Sequence, residues 1–511
     1  MPHRRGLSLL TIASVFGRFL AVLQSVVIGF LLSPEDYGAF AVALGVLMFT
    51  GLFRAGGVWM VLGSIPSDEF RERAPPVFWV GILVGGFACV MTTLASLSGV
   101  GLTAASGSSL ALLVLGFQFA LLPLQQMAQM KLGGEHGYGS IAWTVMTCSV
   151  LKFVVSITTA WLGFGPLALA LPQVIGTAIE ALLYARAAKL DRSYFWFRFP
   201  EFCRALVTQL PVLPIAALNS INTQGDYFIG SMFLTTASLG LYSFAYQIAS
   251  QPYMVLTMGL QRVLVPRSAA VLTTSERSEY LSGMATTVFF VVPAVCIGLG
   301  IAFPSIEQVV WGGRWADSTG LVTILSIGLS GPLALAILVT PLLAARRYSI
   351  VLATEAIRAA SVVGGGAFGS LVLVNSSWLA GDPIAEAKGL ALGVCLVTTV
   401  SSICTGTWLL AAAGLRLRPM VESLFVGPAA CALAGYGSWS VAQSLVLSFD
   451  ALGSRGGAAV VATITLLLYA LILIGALQLL PSLRAAYVNV AEPGLDGLKR
   501  FAQRLHLPVG D

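Results

Sequence analysis

Long apolar runs alternate with short polar ones over almost the whole chain. Fourteen of them are long enough to cross a membrane, at about 7–32, 37–62, 76–98, 107–130, 138–162, 165–186, 207–234, 238–264, 281–304, 318–343, 349–374, 389–413, 422–447 and 458–480. A helix rises about 1.5 Å per residue, so about 20 residues span a hydrocarbon core about 30 Å thick. The pattern predicts an all-α polytopic membrane protein of about fourteen transmembrane helices. The first run is too long for the apolar stretch of a signal peptide, and no A-x-A site follows it. It is expected to be retained as a spanning helix.

The runs repeat weakly. Ile28-Gly29…Leu32…Tyr37-Gly38-Ala39-Phe40 returns as Ile229-Gly230…Leu234…Leu239-Gly240-Leu241-Tyr242, about 201 residues on. Six spans separate the copies, which therefore share one orientation. This predicts two six-helix bundles, 1–186 and 207–415, related by an axis along the membrane normal with a substrate path between them. Segment 187–206 would link them, and spans within 416–480 would be appended.

Charge fixes the sidedness. Of 28 Lys and Arg residues, twenty fall in segments that alternation puts on the side of the N-terminus, three (Arg314, Lys388, Arg455) opposite, and five inside spans. That bias makes the first side cytoplasmic, and the even count places both termini there. The linker, with Arg192-Ser193-Tyr194-Phe195-Trp196-Phe197-Arg198-Phe199, suits the lipid headgroup level. So does the 481–511 tail, where Leu498, Phe501, Ala502 and Leu505 share one helical face. Composition agrees: 57% of the chain is hydrophobic and 10% charged, against about a quarter charged in a soluble domain. The net charge of +6 is scattered over short loops, which speaks against nucleic-acid binding. Seven cysteines with no CxxC offer no disulfide framework or metal site. No cofactor is expected, and no G-x-x-x-x-G-K-[ST] loop is present.

Ionisable residues inside spans are the functional candidates, because burying each costs about 2.5–3.5 kcal/mol on the translocon scale. The cations are Arg18, Arg54, Lys152, Arg262 and Arg358; the acids are Glu180, Asp226 and Glu355. Arg18 and Arg54 lie near mid-depth in adjacent helices with no acid within a turn. A guanidinium offers a planar fork matched to phosphate, so a chamber richer in cations than acids would draw a pyrophosphate. Plain readings stand beside this one. Arg262 can snorkel to the interface, and Glu355 can pair with Arg358 three residues on. Lys152 can tie helices together, Glu180 can partner a nearby cation, and Asp226 is a structural carboxylate or a cation site. Prolines at 123, 172, 293, 332 and elsewhere permit bends.

Three stretches carry a resemblance. Arg18-Phe19-Leu20 followed by Leu31-Leu32-Ser33-Pro34-Glu35-Asp36-Tyr37-Gly38-Ala39-Phe40 is the first. Asp226-Tyr227-Phe228-Ile229-Gly230 with Leu239-Gly240-Leu241-Tyr242-Ser243-Phe244-Ala245, and Gln261-Arg262-Val263-Leu264-Val265-Pro266, are the others. Over roughly 7–415 the chain resembles the oligosaccharide-lipid flippases of the multidrug/oligosaccharidyl-lipid/polysaccharide exporter superfamily. Phe30 departs from the family, whose members often carry arginine there, and fourteen spans rather than twelve is a trait of the related peptidoglycan-precursor flippases. The resemblance implies a bacterial cytoplasmic-membrane flippase, not an enzyme. It would carry a polyprenyl-pyrophosphate oligosaccharide outward by alternating access for surface polysaccharide synthesis, with membrane lipids and polysaccharide polymerase machinery as partners. Arg18, Arg54, Lys152, Arg262 and Arg358 would bind substrate, and Asp226, Glu355 or Glu180 would couple an ion gradient. Two alternatives remain: a cation-coupled multidrug exporter of the same superfamily, whose cavity should be acidic or apolar, and a membrane glycan polymerase or ligase, which needs a large outer loop that the spacing does not provide.

Overall fold

The structure, a computed structural model, describes residues 2–51, 58–63, 65–99, 107–210, 213–252, 274–344, 348–377, 379–412, 422–449 and 454–479. Helices fill the apolar runs, and no strand occurs among the described residues. In chain order they are α1 (Pro2–Leu31), α2 (Pro34–Gly51), α3 (Val58–Gly63), α4 (Phe70–Ser98), α5 (Ser108–Gly134), α6 (Tyr138–Trp161), α7 (Leu167–Ala187), α8 (Phe199–Gln209), α9 (Leu213–Phe233) and α10 (Thr236–Ala249). There follow α11 (Thr274–Val310), α12 (Thr319–Ala344), α13 (Tyr348–Leu371), α14 (Ala385–Ala412), α15 (Gly427–Phe449) and α16 (Ser454–Leu479). Eleven are long and apolar enough to cross a membrane, or twelve if α8 and α9, bent by 53°, make one span. The expected fourteen is not reached among the described residues, because runs 37–62 and 238–264 include residues outside them. The tail 481–511 also lies outside.

Val15, Phe19, Leu97, Trp143, Trp161 and Leu433 are between 63% and 77% exposed. Rings and branched chains standing out on helix after helix are what hydrocarbon solvates and water does not. This is a multi-pass membrane protein.

The chain packs as two compact units: Met1–Phe244 with Gly366–Leu390, and Ala245–Gly365 with Ala391–Asp511. In the first, small residues set the helix registers. A Cβ on Gly6 would sit 3.1 Å from Tyr138 Cβ and one on Gly17 2.7 Å from Ser149 Oγ, while Gln24 Nε2 donates to Ser156 Oγ at 3.0 Å. All three pairs are 132 residues apart, so α1 and α6 run parallel in fixed register. α4 and α5 run antiparallel, with Gly85 against the Phe119 carbonyl and Gly116 against Thr92. At one end gather Gly6 with Tyr138, Gly134 with Ser67, and Lys131 with Ala188. At the other, Gly165 meets Asp36 and Gly107 meets Pro166. The first end carries the basic residues, as the charge pattern requires.

At that basic end the linker is pinned to α4. Asp191 caps a short 3-10 turn by accepting from Ser193 N at 3.1 Å and from Ser193 Oγ, and Arg71 Nε donates to Ser193 Oγ at 3.0 Å. Trp79 Nε1 donates to the carbonyls of Phe195 and Trp196, both at 3.2 Å. Tyr194 closes over the Lys131 ammonium at 4.5 Å and joins a core of Val58, Leu62, Phe70, Phe78 and Met127. Phe197 and Phe199 stay exposed beside Arg198.

α2 and α10 begin alike. Asp36 N donates to Ser33 Oγ at 3.3 Å, and Ser238 N donates to Thr235 Oγ1 at 3.2 Å. Each hydroxyl satisfies one of the N–H groups that a helix start leaves without a partner.

In the second unit Pro293 lies inside the unbroken α11 and offers no N–H to the carbonyl of Phe289. α15 and α16 pack on this stretch. Cys431 Sγ donates to Phe290 O at 3.6 Å, Tyr469 OH donates to Ala294 O at 3.0 Å, and a Cβ on Gly427 would lie 2.9 Å from Phe289 O. Tyr469, Cys431, Ala434, Ile297 and Phe290 form one buried cluster.

Candidate functional site

Three spanning helices bring Arg18, Lys152 and Glu180 to one level of the first unit. The constant α1–α6 register sets Arg18 beside residue 150, two residues from Lys152 and thus within about 3 Å of its depth. Lys152 crosses α7 at Gly176, where a Cβ would lie 2.0 Å from Lys152 Cε. Only hydrogen fits there, and the ammonium reaches Glu180 one turn on. Lys152 Nζ donates to Glu180 Oε1 at 2.5 Å, and Gln125 Nε2, from α5, donates to Oε2 at 2.5 Å. Both carboxylate oxygens are thus held by side chains from two other helices.

Arg18 is different. It is half-buried, and among the described residues it has no hydrogen bond or ion pair. It stands on a stripe with Ser14 and Ser25, whose hydroxyls turn back to the carbonyls of Leu10 and Ala21. On its other flank are the exposed Val15, Phe19 and Val22. Counting Lys152 and Glu180 as cancelling, this tier keeps one net positive charge, on Arg18. Among the described residues this leaves, at mid-helix, a fork of N–H donors without an acceptor, the geometry that matches a phosphate or carboxylate.

The other expected residues lie elsewhere. Arg358 Nη1 donates to both oxygens of Glu355, at 3.0 and 3.1 Å, within one helix of the second unit. Asp226 is 2% exposed in the first unit; Tyr242 OH donates to its Oδ2 at 2.8 Å and Tyr227 N to its Oδ1 at 2.9 Å. Arg54 and Arg262 lie outside the described residues. Gln125 and Gly176 were not among the sequence candidates. The signal for Gly176 was present: it and Lys152 each stand twelve residues from Phe164 in the α6–α7 turn, so an antiparallel hairpin sets them face to face. Among the described residues no cluster of three His, Cys, Asp or Glu could hold a metal ion.

Outside the spans, two carboxyls are held below the usual carboxylate range. For Asp191 the main cause is its hydrogen bond from Ser193, and for Asp382 the contact with Lys388.

The sequence model of a family described as Polysaccharide biosynthesis protein matches residues 27–320. The succinoglycan biosynthesis transport protein ExoT of Rhizobium meliloti (strain 1021) is 27% identical over 335 residues, 63% of this chain and 65% of that protein. The chain thus spans slightly under two-thirds of that relative's length. The fold is similar to a lipid II flippase MurJ in an inward closed conformation (TM-score 0.67, 15% identity, covering 92% of this chain and 99% of that one). It is also similar to an inward-facing multidrug resistance MATE family transporter of the MOP superfamily (TM-score 0.56, 14% identity, covering 78% and 95%).

Proposed function

Because the chain belongs to the polysaccharide biosynthesis protein family, whose model covers more than half of it, we propose that it is a flippase for lipid-linked oligosaccharide. The substrate is an oligosaccharide on polyprenyl pyrophosphate, built at the cytoplasmic face of a bacterial inner membrane and released outward. The chain moves it by alternating access and performs no chemistry on it. Arg18 carries this reading: its guanidinium, unpaired among the described residues, binds a pyrophosphate oxygen pair bidentately. Lys152 is the second donor, lent by Glu180 when a stronger anion arrives. The basic end faces the cytoplasm, both termini lie there, and the exposed Phe197 and Phe199 rest among headgroups. Coupling to an ion gradient falls to Asp226, Glu355 or Glu180, and released units pass to a polymerase.

The fold's likeness to a multidrug resistance transporter supports a second reading, export of cationic drugs. The net positive tier around Arg18 opposes it, since like charges repel. The deciding experiment uses inverted membrane vesicles that build a radiolabelled polyprenyl-pyrophosphate oligosaccharide on their outer leaflet. Arg18→Ala should cut its sequestration in the lumen at least tenfold, a loss of about 1.4 kcal/mol or more in transition-state binding. Arg18→Lys should keep part of the activity, as a charge without the fork. Full activity of the inserted alanine variant would defeat the pyrophosphate reading.

A further inference from the structure

α8 turns three faces to three surroundings. At about 100° per residue, Phe199, Cys203, Leu206, Val207 and Leu210 share one arc. Phe199, Val207 and Leu210 on it are 66%, 64% and 53% exposed. A second arc faces the protein: Ala205 packs on the core that holds Tyr194, and Gln209 is fully buried. Between the two stand Arg204 and Thr208, both exposed. An open apolar arc beside an open polar one fits the boundary between hydrocarbon and water, where each arc meets its own solvent.

The cations of this strip are not all spent within the protein. Segment 189–204 has four cations (Lys189, Arg192, Arg198, Arg204) against two acids (Asp191, Glu201). Both acids are engaged, Asp191 with Arg71 at 3.8 Å and Glu201 with Arg198 at 3.3 Å. Arg192 and Arg204 are exposed and have no side-chain hydrogen bond or ion pair among the described residues. The strip is also held in place. Besides the two carbonyls bonded to Trp79, the Phe197 ring lies edge to face on Trp79 with centroids 5.7 Å apart, and 5.6 Å from Phe202. A surface fixed in advance loses little freedom when a ligand settles on it.

We propose that the linker and α8 form a binding site for an acidic phospholipid in the leaflet at the basic end. Its phosphate is drawn to Arg204 and Arg192, and its acyl chains lie along Phe199, Val207 and Leu210. A free phosphate would leave the apolar arc in water, and a neutral lipid would leave the two guanidiniums without a counter-charge. An acidic lipid uses both. The site is separate from the tier around Arg18 and holds whatever the chain transports.

The test uses full-length protein with its native cysteines replaced and a bimane fluorophore on Val207→Cys. It is reconstituted in phosphatidylcholine vesicles that contain, at equal mole fraction, either brominated phosphatidylglycerol or brominated phosphatidylcholine. Bromine quenches bimane on contact, so both lipids should quench. A cation near a membrane surface favours acidic lipid by about fivefold, so brominated phosphatidylglycerol should quench about twofold more or better, and added salt should shrink the difference. Arg192→Gln with Arg204→Gln should erase the preference while quenching by brominated phosphatidylcholine persists, which shows that the variant is still inserted. The same fluorophore on Trp143→Cys, a position 70% exposed on α6, should show no preference. Equal quenching by the two lipids at Val207, a preference that survives the double glutamine change, or an equal preference at Trp143 overturns the site. Quenching by neither lipid overturns it as well, since the face is then covered by protein or water. None of these outcomes bears on the flippase reading, which stands or falls on transport.

Discussion

A single missing side chain positions the charged tier. Lys152 lies across Gly176, and the space it uses is the space a methyl group would take. Gly176→Ala should therefore expel the lysine from Glu180, destabilise the inserted protein by about 1–3 kcal/mol through overpacking, and reduce transport. Thermal unfolding in detergent beside vesicle transport checks both effects, and Gly86→Ala, in open space, serves as the control. The pair itself was hard to read from the chain. Lys152 and Glu180 stand 28 residues apart on different helices, and sequence alone names an ionisable residue in a span without naming its partner. Glu355 and Arg358 were readable because three residues along one helix bring side chains together. Arg18 was readable as deep, but its lack of a partner among the described residues is a fact about other helices.

Among elements, the linker between α7 and α8 shows local chemistry agreeing with composition. Aromatic and basic residues interleaved over 192–199 predict an interfacial segment; the structure exposes Phe197 and Phe199 there and buries Tyr194. What composition could not supply was the anchoring: Trp79, 116 residues away in sequence, donates to the Phe195 carbonyl. The Asp191 cap adds a pH dependence of definite sign. Its folded pKa is depressed, so its contribution is fully present above the unfolded value of about 3.9 and fades as pH falls through the folded one. Amide exchange over 192–196, corrected for intrinsic rates, should rise below about pH 4. Asp191→Asn should show raised exchange already at neutral pH and no such transition. The spans themselves were legible because hydrocarbon demands an unbroken apolar run from every helix. Their registers were not, since glycine-to-backbone contacts such as Gly85 on Phe119 O leave no periodic trace.

For the whole molecule, the repeat was visible as a resemblance between two motifs, and the contact they make, with a Cβ on Gly38 set 1.9 Å from Thr236 O and one on Gly240 1.7 Å from Pro34 O, was not. Similarity says that two segments fold alike, and it does not say that they touch. The sidedness is open to direct test. Single cysteines at Ser67 and Ser193 should react with a membrane-impermeant thiol reagent only in inverted vesicles, and one at Asp382 only in intact cells stripped of outer barriers. Labelling of Ser193 and Asp382 from the same side would mean that an odd number of spans had been miscounted between them.

Pro293 leaves the Phe289 carbonyl of α11 without its usual intrahelical donor, and the last two helices lie against that stretch. Where no water reaches, another part of the protein has to stand in for it. Cys431 and Tyr469 donate to the neighbouring carbonyls of Phe290 and Ala294, and the bare backbone at Gly427 closes over the Phe289 carbonyl itself. The final pair of spans thus acts as a splint: it shields from lipid the stretch of a long helix that a proline deprives of one backbone bond.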